Sequence, residues 1–397
     1  CTKLNSVKGL VFRDQDVKFV NTVYASQLSP DKVYDVDYED LNHNEGELDY
    51  YFPKVDSNHP YFPENTKYES YIGFKMVYLP GSKGCVAKCT FCHRWDKGIR
   101  YLPVDTIIKR LNELKKNYDV RFVSMSDENF GTDKKWLKEF CEKIKKLNVL
   151  WYVAGMRVNC IDQESIELMK NAGCIRAVFG METGSSRMLK IMNKGVKLED
   201  NYNALKLIHD NGMSTTVQLV LGMPGENWDT VEETCDFLKY SISHSEKNSP
   251  FNCSINYAQA LPGTPLYEYA RHERLIVDEE DYLKMVSNKE AADDLFHLNG
   301  LSGLPKLIVL SWRPYLTASV CAHYIKLYGK LKYNKFLAEK CLPSKDNKGY
   351  FNEPKENQIR SSDFFFKMKF INYLSLQFYI FPKLFANSKI LLYLYTF

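Results

Sequence analysis

Residues 71–79 (YIGFKMVYL), 104–116 (VDTIIKRLNELKK) and 119–126 (DVRFVSMS) decide the fold. The first and third are short apolar runs, suited to buried strands. The middle stretch puts Ile107, Ile108 and Leu111 on one helical face and Lys, Asn and Glu on the other. That is a strand–helix–strand unit, and the alternation continues down the chain. Helices are expected at Lys134–Leu147, Gln163–Ala172, Glu199–Asn211 and Thr230–Ser241, with Gly173 and Gly212 closing the second and third. Strands are expected at Leu150–Arg157, Ile175–Gly180, Ser214–Gly222 and Asn252–Ala260. Such alternation demands a parallel sheet covered by helices. A closed or partly closed barrel fits better than a flat doubly wound sheet, because no Gly-rich phosphate fingerprint follows the first strand. In such barrels, sites form where strand C-termini open into loops.

The loop after the first strand reads GCVAKCTFCH (84–93), with Cys85, Cys89 and Cys92 spaced C-x3-C-x2-C. Three thiolates so close can hold three irons of a [4Fe–4S] cluster and leave the fourth iron without a protein ligand. Clusters that only carry electrons usually have four cysteines. A zinc ion wants four N/S ligands, or three plus water. His93 adjoins Cys92, which makes joint tetrahedral binding awkward. On spacing alone, both a cluster and an incomplete zinc site stay open.

The later strand ends carry polar or Gly-rich residues. Strand two ends in Ser126-Asp127-Glu128-Asn129-Phe130, where Asp127 and Glu128 are acceptors suited to an ammonium group. Asp127 or Asn129 could equally cap a helix. Arg157, at the end of strand three, offers a planar fork to a carboxylate, either a ligand's or that of a loop acid. Glu182 closes strand four as an acceptor for hydroxyl groups, and Gly180 and Gly184 permit close backbone approach. Met188 and Met192, at helical spacing, read as core. In strand five, Gln218 is expected to face the barrel interior, and Gly222-Met223-Pro224-Gly225-Glu226 forms a turn. Strand six ends in Pro262-Gly263-Thr264-Pro265-Leu266-Tyr267, a turn entering a helix.

Taken in order, the cysteine loop with Phe91 before its last cysteine, the 180–195 segment, Gly222–Glu226 and the 262–267 run resemble the radical S-adenosylmethionine (SAM) superfamily. The resemblance covers roughly residues 72–270 and is nearest the branch linked to a cobalamin-binding domain. It implies an α/β fold, a partial (β/α)6 TIM-like barrel. Cys85, Cys89 and Cys92 would hold a [4Fe–4S] cluster whose open iron chelates SAM. Reductive cleavage of SAM would release a 5′-deoxyadenosyl radical that acts on a substrate the sequence does not name. Phe91, Asp127, Glu128, Arg157, Glu182, Gln218 and Gly222 are the residues the resemblance places around SAM. Asp-Glu-Asn stands where many members carry a Gly-Gly-Glu-like segment. An external one-electron donor such as flavodoxin or ferredoxin is implied, and methyl transfer if cobalamin is bound. The leader Gly9–Asp14 and the linker after it resemble the junction that follows a cobalamin domain. That domain's Asp-x-His-x-x-Gly loop is not found, and His43 and His59 lack its context, so no cobalt ligand is assigned.

The 397 residues divide by pattern into a lead-in (1–70), a core (71–270) and a mainly helical C-terminal extension (271–397). In the lead-in, the Gly9–Asp16 stretch suggests a hairpin, and the acidic Asp31–Tyr51 stretch an extended linker. A net charge of +4 with interspersed signs argues against a nucleic-acid partner. Of the 11 cysteines, those outside the loop are scattered, which fits a reducing cytoplasm rather than a disulfide framework. No secretory signal is visible, and a start at Cys1 suggests a fragment. No apolar run of about twenty residues exists to span a membrane. Lys306–Leu331 reads as a helix. The tail Asp363–Phe397, with Phe364-Phe365-Phe366-Lys367-Met368-Lys369, suits three roles: capping the barrel, peripheral membrane contact, or ordinary packing. The alternative to an enzyme is a non-catalytic Fe–S or zinc module for electron transfer or assembly. It predicts a fourth protein ligand and no SAM binding.

Overall fold

Each apolar run expected as a strand forms one in a computed structural model, which describes residues 4–24, 26, 29, 38, 47–55, 66–93, 98–287, 297–341 and 379–389. The strands β1 (Lys75–Leu79), β2 (Val120–Met125), β3 (Leu150–Met156), β4 (Cys174–Glu182), β5 (Val217–Leu221) and β6 (Cys253–Tyr257) make one six-stranded sheet in sequential order. Every pairing within it is parallel. β1 and β6 are not paired with each other, so the barrel is a curled, open half-barrel. The expected α/β, TIM-like half-barrel is the fold observed. The first strand starts later than its apolar run suggests. Thr66–Tyr71 is a 3-10 turn, and Gly73 has φ +90°, a left-handed conformation that no strand continues through.

Crossovers are supplied by α1 (Val104–Tyr118), α2 (Lys134–Ile144), α3 (Gln163–Asn171), the short α4 (Ser186–Ile191), α5 (Leu198–Asp210) and α6 (Trp228–Ser243). Three of them, α2, α3 and α6, start on side-chain caps. Asp133 accepts from the amides of Lys135 and Trp136, Asp162 from Ser165, and Asn227 from Thr230. Strand side chains alternate between two environments, as a period of two requires. Val77, Leu79, Val123, Met125, Trp151, Val153, Phe179, Val217, Leu219 and Leu221 join the helix-side core. Met76, Phe122, Tyr152 and Ile175 form a separate cluster on the inner face.

Beyond the sheet lie α7 (Pro265–His272), α8 (Glu279–Ser287) and α9 (Lys306–Tyr328). The last matches its expected span. Its Trp312, Leu316 and Val320 share the main core with Phe237 and Leu238 of α6. Near the N-terminus, Val11–Arg13 pairs antiparallel with Phe19–Asn21, the hairpin expected there. Most of the Asp31–Tyr51 linker, and residues 363–378 and 390–397 of the tail, lie outside the described residues. Among the described residues, no helix is long and apolar enough to cross a membrane.

Between α2 and the sheet, Trp136 stacks on Phe140 at 5.2 Å, and Phe140 meets Trp151 edge-on at 5.3 Å. Phe140 is fully buried. Replacing it by Ala removes the centre of this stack, and we expect a loss of about 3–5 kcal/mol. Urea unfolding of F140A against the parent chain measures it.

Candidate functional site

The end of the half-barrel where the strand C-termini open into loops, its mouth, carries the cysteines. After β1 the chain forms an antiparallel hairpin, Ser82–Cys85 against Gly98–Tyr101, and the cysteine loop springs from its end. Cys85 is half-buried, Cys89 buried and Cys92 exposed. The hairpin's entry is pinned by Asp127, just past β2. Its carboxylate accepts from the Gly81 amide (3.0 and 3.2 Å) and the Ser82 hydroxyl (2.5 Å). Burial pushes the Asp127 carboxyl up to about 6, against the pull of those hydrogen bonds.

The middle of the loop is held by the segment that follows α4. Thr90 donates its amide to the Met192 carbonyl (2.9 Å) and its hydroxyl to the Ile191 carbonyl (3.2 Å). Asn193 Nδ2 donates to the Lys88 carbonyl (3.0 Å). On the other side, the Leu266 amide of α7 donates to the Thr90 carbonyl (2.9 Å). Gly263 has φ +83°, and a Cβ there would lie 3.2 Å from the His93 ring. The 262–266 turn therefore approaches the cysteine loop as closely as glycine allows.

The bracket after α4 is itself tied to β3 and β4. The Arg157 guanidinium donates to the Lys194 carbonyl, and Asn159 Nδ2 reaches the Gly195 carbonyl at 3.4 Å. Lys194 Nζ lies 2.5 Å from Glu182 Oε1, and each side chain is only 9% exposed. Glu182 has φ +65°, uncommon for a residue with a side chain. Its carboxylate folds back over Gly180, where a Cβ would come within 2.5 Å of Oε1. Both charges act on Cys92. Burial, then Cys89 and Cys85, push the Cys92 thiol up, Lys194 draws it down, and Glu182 raises it further.

The structure thus gathers Cys85, Cys89, Cys92, Arg157 and Glu182 around one bracket. Arg157, expected to meet a carboxylate, holds a backbone carbonyl. Asp127, expected to face an ammonium group, holds the root of the loop, and Glu128 beside it is exposed. Gln218 lies on the inner face, between Val217 and Leu219 of the outer core. Phe91 packs on an apolar cluster at the mouth that contains Met188, Met192, Met223 and Leu266, so the two methionines are core, as expected. Gly222 (φ +84°) ends β5 with its amide on Glu226 (2.5 Å), under the ring of His297. Burial raises the Glu226 carboxyl to about 7. Lys194 and His297 escaped the sequence reading. Lys194 stands in the Met-Asn-Lys-Gly run, but nothing local shows its partner, and His297 has no motif around it.

Among the described residues, no three His, Cys, Asp or Glu side chains are arranged to hold a single metal ion. A zinc site gathers its ligands on one centre. Cys85, Cys89 and Cys92 bring three thiols to one loop, the donor set that three irons of a [4Fe–4S] cluster would take.

Two expectations follow. Lys194→Met leaves the Glu182 carboxylate buried and unpaired, which costs about 3–5 kcal/mol, and K194M/E182Q recovers most of it in urea unfolding. The Asp127 carboxyl titrates higher folded than unfolded. Its stabilising contribution is present below the ordinary carboxylate range and lost as pH rises through about 6. D127N should flatten that component of a stability-against-pH curve.

Comparison with known proteins points the same way. Residues 79–238 match the model of the Radical SAM superfamily. The anaerobic magnesium-protoporphyrin IX monomethyl ester cyclase of Rubrivivax gelatinosus is 33% identical over 178 residues, covering 42% of this chain and 32% of the cyclase. A putative methylthiotransferase of Methanocaldococcus jannaschii is 28% identical over 311 residues, 72% of this chain and 67% of that protein. The cobalamin-dependent SAM radical enzyme OxsB, solved with aqua-cobalamin bound, superposes with a TM-score of 0.53 at 19% identity, over 95% of this chain and 53% of OxsB. This chain therefore matches only about a third of the cyclase and half of OxsB, and the OxsB likeness is one of fold. The cysteine loop and most of the half-barrel thus lie within the region that matches the Radical SAM superfamily model.

Proposed function

We propose that the chain is a radical SAM enzyme in which Cys85, Cys89 and Cys92 hold a [4Fe–4S] cluster. The observation that carries this is a three-thiol loop pinned at the strand-end mouth by Asp127, the 191–195 bracket and α7. A cluster held there would supply the one electron that reductive cleavage of SAM requires, chemistry that would yield a 5′-deoxyadenosyl radical able to take hydrogen from an unreactive C–H bond. The protein's own residues orient and enclose. Lys194 neutralises Glu182 through Oε1, which leaves the second carboxylate oxygen for a ligand hydroxyl. Arg157 fixes the bracket that carries Lys194. Gln218 and the backbone at Gly222 line the sheet side of the mouth, and Glu128 is an exposed acceptor at the end of β2. Phe91 packs the loop into apolar surroundings, which keeps water from a reactive intermediate.

An external one-electron donor such as flavodoxin or ferredoxin would reduce the cluster, and a reducing cytoplasm suits exposed thiols. Relatives with methyltransferase names favour methyl transfer as the outcome when cobalamin is bound. No residue of this chain is assigned as a cobalt ligand, and the substrate is not identified.

Anaerobic reconstitution should give about four irons per chain and 5′-deoxyadenosine that depends on both SAM and reductant. Cys85→Ala, Cys89→Ala and Cys92→Ala should each lose iron and product together. Retained zinc with no SAM cleavage would instead reveal a non-catalytic metal module.

A further inference from the structure

His297 lies beyond the last strand, yet its ring caps the strand ends at the mouth. A Cβ on Gly222 would fall 2.3 Å from its Cε1 and 2.9 Å from each ring nitrogen. Nδ1 lies 3.0 Å from the Ala258 carbonyl, directly after β6. A carbonyl only accepts, so Nδ1 carries the ring proton and Nε2 is a bare acceptor. The residue is 1% exposed, and among the described residues Nε2 is buried without a hydrogen-bond partner. Burial pulls the imidazole down to about 4, so it stays neutral. Leaving a buried acceptor unmet is costly. Nδ1 faces Ala258, so Nε2, on the other side of Cε1, points away from that carbonyl. Ala258 and Leu298 belong to the same apolar cluster as Phe91, the residue between Cys89 and Cys92. The ring sits against Gly222, a residue the sequence reading places beside SAM.

We infer that His297 is a positioning residue whose Nε2 accepts a hydrogen bond from a neutral N–H or O–H of the nucleoside portion of SAM. This assignment rests on the proposed SAM reading. The histidine selects a neutral donor, an amino group or a hydroxyl, rather than a charged one. His297 itself lies outside the half-barrel strands, so a residue beyond β6 takes part in forming the ligand site.

The test measures SAM binding to the reconstituted protein by anaerobic equilibrium dialysis with reductant left out, so that nothing turns over. His297→Asn keeps an amide donor for Ala258 and removes the Nε2 acceptor. His297→Gln keeps an acceptor near the Nε2 position. H297N should weaken SAM binding about tenfold with iron content unchanged and the ligand-free Tm no lower than that of H297Q. H297Q should stay near the parent affinity. Parent-like SAM binding by H297N overturns the assignment. Equal loss of affinity and Tm in both variants makes the histidine a packing element and also overturns it. If the parent protein takes up iron but binds no SAM, the proposed function fails first, whatever the variants do.

Discussion

A loop that carries three sulfurs and little regular structure cannot set its own shape. Here the constraint comes from Ile191–Gly195, which takes hydrogen bonds from Thr90 and gives one to Lys88. Each such bond contributes on the order of 1 kcal/mol net, too little to fix a loop alone. The bracket is rigid because its far side is locked: Arg157 holds its backbone, and Lys194 is committed to Glu182 in a nearly dry environment. A buried pair of this kind adds little net stability over an apolar pair of similar size. Its value lies in geometry, since breaking it would release the bracket and with it the loop.

The same logic explains the backbone at the end of β4. Glu182 adopts a left-handed conformation, and Gly180 leaves space for its carboxylate. Such strain persists only where the surroundings over-determine it. Lys194, the Arg157-held bracket and the following Thr183–Ser185 turn do so here. That turn is fixed by Thr234 of α6, whose hydroxyl meets Thr183 at 2.9 Å and takes the Gly184 amide at 3.1 Å.

Much of the fold was legible because periodicity is local. Alternating apolar runs and amphipathic stretches gave the six strands and their crossovers, and cysteine spacing gave the loop. The first strand's start was misjudged because the apolar run continues through Gly73, whose backbone turns the chain. The candidate site was legible in residue type but not in partner. An acceptor at Asp127 and a cation at Arg157 both follow from sequence. That they hold Gly81 and the Lys194 carbonyl depends on strands brought together only by the fold. Lys194 and His297 were illegible for the same reason: each acquires its meaning from a residue distant in the chain.

The Ser82–Cys85 and Gly98–Tyr101 pairing closes the cysteine loop at its neck. Joining the ends of a loop has an entropic cost that grows only slowly with length, and here protein hydrogen bonds meet it before any metal arrives. The neck therefore separates the inserted loop from the barrel beneath, as a socket separates a fitting from its wall. Loop residues other than the three cysteines, and other than Lys88 and Thr90, which are tied to the bracket and α7, can then be exchanged without re-registering the parallel strands. One scaffold can thereby carry differently tuned inserts through evolutionary drift or by deliberate grafting.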